Sequence, residues 1–484
     1  MQTLETFAQP TATEYLSDTD ITAAIELFFL TKKGVPAHLI DVATHDGIVK
    51  LTGITDNLLA SERAEEIALA VRGVRGVINQ LVISTPDVPN DELHHAVTQA
   101  LNADPATTDY NVACRVEEGV VTPVGVVQSW AEQQLVLRVL RGVRGVRRLV
   151  ADELTIRWGE IQNSDDEISA QIRELLAWDI RVFSDSLEVR TNDRVVHLSG
   201  TVGTAAERAQ VINVAYQAGA SRVDALDLFV AYWALNGQLR REKFAERSDA
   251  NIAQAVLDTF RYDPRVLSYQ PVVVVRDGVV TLTGAVSSLR AKNSAERDAR
   301  HVVGVWNVYN LLKVRTRWFT PDAMLHQSVL DALARDPYVA FFDFSLRVSN
   351  GKVHLYGQVN SHFEQAQAAE VAAGVSGVAE VENNVHVLGS TVFAGPPAAW
   401  YPGALGPATS SNSDFSLAER IRTQFFWSAS LHNQDVTVLV ENGRATLTGT
   451  VDTWLDRDQA AYDAYAAGAR VVDNDLLLSM ASGL

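Results

Sequence analysis

The chain has 484 residues with a formal net charge of −18 and a pI near 5.0. That length exceeds the roughly 250–300 residues at which a single hydrophobic core stops growing, so several domains are expected. The acidity argues against broad nucleic-acid binding, which needs a basic surface, and the lone cysteine, Cys114, excludes an intramolecular disulfide.

Along the chain one pattern recurs six times. Each copy opens on a helix-start signal: Ser17-Asp18, Asn90-Asp91-Glu92, Ser164 to Glu167, Ser248-Asp249, Thr320-Pro321-Asp322 and Ser413-Asp414. Ser164 with Glu167 has the spacing of a capping box. Thr320 before Pro321 suits an N-cap followed by proline at the first helical position. An apolar stripe at helical spacing follows, as in Ile252, Val256, Leu257 and Phe260. Two strand-like runs then meet at a tight turn: Asp46-Gly47, Glu118-Gly119, Asp277-Gly278, Asn350-Gly351 or Asn442-Gly443. Copy three has Asp193-Arg194 instead, which predicts another turn geometry there.

The hairpin ends at Gly53, Gly125, Gly200, Gly284, Gly357 or Gly449, and an alanine-rich second helix follows. That helix is closed by Gly73, Gly142, Gly219, Gly304, Gly377 or Gly468, as suits a left-handed cap. The two glycines lie 20 residues apart in copies one and four but 17 apart in copy two. Four residues past the second glycine a valine opens a last strand: Val77, Val146, Val223, Val308, Val381 or Val472. These twelve glycines are read as fold-specifying. Pro123 replaces the leucine of the other hairpins, which puts that strand at an edge or distorts it.

The expected fold is therefore α+β: a tandem array of six α-β-β-α-β modules, each with two helices on one face of a three-stranded mixed sheet. The modules span 17–84, 89–158, 164–233, 248–316, 320–389 and 413–480. Residues 234–247 form a linker, and 390–412 a Pro/Gly-rich spacer. In such an array each module is expected to lean on its sequence neighbours. Trp158, Trp233 and Trp318 after the last strands, with Trp400 and Tyr401 in the spacer, are expected to pack between modules or subunits. The most basic stretch, Arg138, Arg141, Arg144, Arg147 and Arg148, offers guanidinium groups for lipid phosphates. No catalytic motif or metal-ligand spacing is visible, so the chain reads as non-enzymatic, without a cofactor and without a nucleic-acid partner.

Gly278-Val279-Val280-Thr281-Leu282-Thr283-Gly284 and Gly304-Val305-Trp306-Asn307-Val308-Tyr309-Asn310-Leu311-Leu312 resemble the BON domain, and the likeness covers about nine-tenths of the chain. Copies two and three depart most, with Arg148 and Ala225 where Asn79, Asn310, Asn383 and Asn474 stand elsewhere. The resemblance implies binding in bacterial osmotic-stress and envelope proteins, on phospholipid or membrane surfaces. Self-association into an oligomer or filament is the alternative, and binding of a potassium-like ion a second one. No signal peptide or apolar span is visible, so the chain reads as cytoplasmic as written, or periplasmic if a leader has been removed.

Overall fold

The computed structural model describes residues 16–157, 163–235, 243, 247–267, 269–316, 320–388 and 410–479. Six copies of the α-β-β-α-β module are present. In module 1 the first helix is Asp18–Thr31, the hairpin Ile40–His45 with Ile48–Thr55, the second helix Leu58–Leu69 and the last strand Gly76–Ile83. The middle strand pairs antiparallel with the first and parallel with the last. Alternate strand residues such as Val49 and Leu51 are buried under the helices, and each module keeps its own apolar core.

The side chain at the head of the first helix does more than start it. The Asp18 carboxylate accepts the backbone N–H of Asp46 at 2.8 Å and of Gly47 at 2.9 Å, tying helix to hairpin turn. Asp165, Asp249, Asp322 and Asp414 repeat this, and Asn90 accepts from Glu118. Copy three does not need a different turn. Asp193 and Arg194 take φ of 49° and 62°, like Asp46-Gly47 at 50° and 72°. The Asp165 carboxylate and a bond from Arg194 to the Gly219 carbonyl at 2.7 Å hold the arginine in that conformation.

Other expectations shift in register. Ser164 and Glu167 form the capping box. The fifth module's first helix starts at Asp322, so Pro321 precedes it and Thr320 does not cap it. The sixth module's first helix starts at Ser410, inside the expected spacer. Pro123 lies in a central strand, not an edge, but distortion does follow: lacking an N–H, it faces a last strand split into Arg148–Leu149 and Leu154–Ile156. In copy two the counterpart of Gly73 is Gly145, at φ 97°, whereas Gly142 is an ordinary helix cap at φ −74°. The spacing from Gly125 is then 20 residues, as in copy one, and the strand valine is replaced by Leu149. The recurring asparagine clamps the second helix to the last strand: Asn79, Asn310, Asn383 and Asn474 each donate to a helix carbonyl at 2.7–3.1 Å.

The modules do not form a string held by sequence neighbours. Module 1 docks on module 6: Arg72 N donates to Trp427 O at 2.8 Å and Ala429 N to Ala70 O at 3.0 Å. Module 3 docks on module 4 by the same device, Ile180 N to His301 O and Val303 N to Trp178 O, both at 2.9 Å. Modules 2 and 5 exchange it, Arg144 N to Arg335 O at 2.9 Å and Ser376 N to Ala103 O at 3.1 Å. The end of a first helix thus pairs with the loop between a second helix and its left-handed glycine. With these docking pairs, further bonds, ion pairs and ring contacts bring each module against four others, as at the corners of an octahedron: Arg141 to Glu62, Asp104 to Arg290, Arg290 to Glu370, Arg72 over Tyr232, Trp130 on Tyr216, Arg63 over Phe363, His362 on Tyr465, Tyr232 on His432, and Arg300 over Trp454. All of these come from helices, their caps and adjoining loops, so the helices form the interior and the sheets turn outward.

Burial of carboxyls in this helical interior gives a pH signature. Asp336 and Asp456 are 5 % and 8 % exposed, and burial pushes each up to about 6. Their favourable contribution is complete below an unfolded carboxyl's value near 4 and is lost as pH rises through 6. His301 runs the other way: burial lowers it to about 4, so its contribution is present above pH ~6.5 and lost as pH falls through 4. Asp336→Asn keeps an acceptor for the Tyr338 and Val339 N–H groups. Relative to the parent it is expected to gain about 2 kcal/mol between pH 4 and 7.5. Urea midpoints at the two pH values check this, and a constant difference between the proteins rejects it.

Candidate functional site

The five arginines of the basic stretch do not make one patch. Arg138 faces a cavity between modules; Arg141 pairs with Glu62 at 2.8 Å; Arg144 lies over the Phe341 ring; Arg147 bonds Asp87 and the Thr85 carbonyl; Arg148 is exposed on the last strand. The helix and the loop that follow one another in sequence point them to different neighbours. Of the expected junction aromatics, Trp158, Trp318, Trp400 and Tyr401 lie outside the described residues. Trp233 is 57 % exposed, and it is Tyr232 beside it that packs between modules, under Arg72 and against His432. Within the linker, Lys243 is buried and its ammonium sits among three carbonyls, of Leu176 at 3.1 Å, Asp179 at 2.5 Å and Val182.

Most of the expected fold-specifying glycines carry positive φ, among them Gly53, Gly73, Gly200, Gly219, Gly284, Gly304, Gly377, Gly449 and Gly468; Gly125 and Gly357 do not, yet both lie close against backbone of the first strand. None of them lines the cavity described next.

The charged side chains converge where modules 2, 3 and 4 meet, around a cavity of about 530 Å³. The second helix of module 2 (Trp130–Arg141) supplies Trp130 and Arg138. Module 3 supplies Trp178 and the bidentate pair Arg181–Asp179, at 2.7 and 2.8 Å. Module 4 supplies Arg265 on the short helix Pro264–Leu267, Arg297 and Asp298 on the second helix (Leu289–Arg300), and Asp263 between its first two helices. Burial and the neighbouring Asp263 carboxyl push Asp298 well above the usual range. No local motif announces this group because its members come from three modules. The helix-to-turn acceptor, an aspartate in five copies and Asn90 in the other, in contrast had a signal: it stands 28 residues before the turn residue it binds in every copy.

The outer sheet faces are the other candidate surface. Val82, Leu226, Phe229, Tyr309, Leu311 and Leu477, all on or at the end of last strands, are 55–83 % exposed. Among the described residues no helix is long and apolar enough to cross a membrane, and no three His, Cys, Asp or Glu side chains are grouped to hold a metal ion.

Comparison with known proteins adds a family model, that of the BON domain, matching residues 17–85, 90–157, 164–226, 248–316, 321–389 and 413–479. Osmotically-inducible protein Y of Escherichia coli (strain K12) is 43 % identical over 67 residues, which is 14 % of this chain and 33 % of that protein. The chain thus matches about a third of that relative's length. Two solved chains of CdsD, a structural protein of the type III secretion system of Chlamydia trachomatis, were also found. One, its C-terminal domain, is 15 % identical, with 48 % of this chain and 98 % of that one covered and a TM-score of 0.12. The other is 17 % identical, with 47 % and 91 % covered and a TM-score of 0.11.

Proposed function

Because this chain belongs to the BON domain family, we propose that it is a non-enzymatic binding and scaffold protein that associates with phospholipid or cell-envelope surfaces in a stress-related role. One observation carries the reading: the modules turn their helices inward and leave apolar side chains standing on the outward sheets. Module 4 has the fullest example, with Val272, Val274 and Tyr309 on one sheet and Leu311 just past its last strand, from 44 % to 59 % exposed, beside Arg276 on the first of these strands and Lys313 on the short strand that follows Leu311. Apolar side chains flanked by cations suit the boundary between headgroups and acyl chains. Presentation on several faces of one rigid body adds avidity to weak single contacts. The stress role is supported by the likeness to the osmotically-inducible protein of Escherichia coli.

The test is flotation with phosphatidylglycerol-containing vesicles. The parent chain is expected to float, and Tyr309→Asp with Leu311→Asp to lose most of the bound fraction while keeping its thermal midpoint. A parent chain that stays at the bottom of the gradient, or a double variant that floats equally, ends this reading. Self-association is a second reading, favoured by the last strand standing at a sheet edge in module 3, where Leu226 is 83 % exposed. Light scattering that gives a monomer mass at high concentration removes it.

A further inference from the structure

Two hairpin turns carry asparagine followed by glycine, a pair prone to lose the asparagine amide because glycine has no side chain to shield its backbone nitrogen. They are Asn350-Gly351 in module 5 and Asn442-Gly443 in module 6, and both asparagines are exposed. A third such pair, Asn236-Gly237, lies outside the described residues. In both turns the nitrogen that would attack is the one held by the head of the first helix. The Gly443 N–H donates to the Asp414 carboxylate at 2.8 Å and the Asn442 N–H at 2.7 Å. The Gly351 N–H donates to the Asp322 carboxylate at 3.3 Å and the Asn350 N–H at 3.0 Å. Charge-assisted bonds of full strength run about 2.7–2.9 Å, so Asp414 grips its glycine while Asp322 holds its own loosely.

We propose that Asn350 is a site of spontaneous deamidation, slowed by Asp322, and that the closer Asp414 protects Asn442. In the reaction the Gly351 nitrogen loses its proton to solvent and bonds to the side-chain carbonyl carbon of Asn350. Ammonia leaves that carbon, taking a proton from solvent, and water opens the resulting succinimide at one of its two carbonyls. Water is consumed and ammonia released in equal amounts, with no change of oxidation state. A carboxylate on the attacking N–H opposes the first step twice: it occupies the proton, and its charge disfavours a second negative charge on that nitrogen. The fold accepts the two products differently. An aspartate at 350 or 442 reproduces the left-handed turns of Asp46-Gly47 and Asp277-Gly278. Isoaspartate instead routes the main chain through the side-chain carbon. The added atom falls in the turn that pairs Ser349 with Lys352, beside buried Val353, and is expected to open the hairpin.

Peptide mass spectrometry of the full chain, aged at mildly alkaline pH, reads the amide-to-acid change at each site. Asn350 is expected to convert faster than Asn442, and both more slowly than in the same chain held in guanidinium chloride. Asn90 shows that an amide at the helix head still accepts a turn N–H, so Asp322→Asn keeps the turn and removes the charge. It is expected to speed conversion at Asn350 about tenfold, a factor that a hydrogen bond to a charged group carries, and to leave Asn442 unchanged. Asp414→Asn is expected to do the reverse. Thermal midpoints check that both variants fold, and the order of the two sites in the parent chain needs no variant. Conversion of Asn442 before Asn350, equal rates in the folded and denatured chain, or no acceleration in either variant overturns the proposal. So does acceleration at both sites in each variant, which marks a loosened chain and not a lost guard.

Discussion

Asp463→Ala is expected to destabilise the chain by about 3–5 kcal/mol, the cost of leaving one member of a buried ion pair alone. Asp463 is on the second helix of module 6 and meets Lys32, at the end of the first helix of module 1, at 3.0 Å, with side-chain exposures of 0 % and 5 %. The Asp463 oxygen also accepts from Gln459 at 2.8 Å, and the Lys32 ammonium lies 4.4 Å from the centre of the Phe28 ring. The pair closes the N-terminal module onto the C-terminal one, so its loss is expected to appear as an early unfolding transition in urea, read by proteolysis at the module 1–module 6 contact. Lys32→Met combined with Asp463→Leu removes both charges and keeps volume, and is expected to recover most of the loss. A single variant within about 1 kcal/mol of the parent would show the pair to be screened like a surface one, contrary to its burial.

Gly449→Ala and Gly200→Ala are expected to be as damaging for a different reason. Both glycines close a hairpin at φ near 120°, a conformation that side chains rarely adopt. An added Cβ would stand 2.0 Å from the Asp435 carbonyl oxygen and 1.9 Å from that of Ser186. The obstacle is backbone of the paired strand and cannot swing aside, so either change should cost more than about 2 kcal/mol. Gly76→Ala is the control: its φ is not positive, its nearest neighbour would be a flexible Ile48 methyl at 3.4 Å, and it is expected to be neutral or slightly stabilising. Thermal midpoints and soluble yield decide between them. An unaffected Gly200→Ala protein would mean that neither the positive φ nor the approach of the Ser186 carbonyl constrains this position.

The sequence by itself determined the module. Helix caps, Asp-Gly and Asn-Gly turns, alternating valines and the glycines act within a few residues of one another, so their spacing carries the whole signal. Where a local pattern was ambiguous, it misled: Gly142 and Gly145 stand three residues apart in a repeated Gly-Val-Arg, and only the φ values tell which is left-handed. The same limits apply to Arg194, which takes a glycine's turn because Asp165, 28 residues earlier, holds it there. The tertiary structure alone decided which modules meet. A trace of that choice is in the sequence: the hairpin glycine and the left-handed glycine are 20 residues apart in modules 1, 2, 4 and 5 but 19 in modules 3 and 6 (Gly200 to Gly219, Gly449 to Gly468). The longer copies have the extra loop residue that receives a neighbour's helix end, and the shorter copies only supply helix ends. The partner is not encoded in the spacing, because pairing 1 with 6 and 2 with 5 depends on packing between surfaces hundreds of residues apart. For that reason the arginines of one short stretch ended on separate partners, while Arg138, Arg265, Arg297, Asp263 and Asp298, scattered over two modules, came to line one cavity.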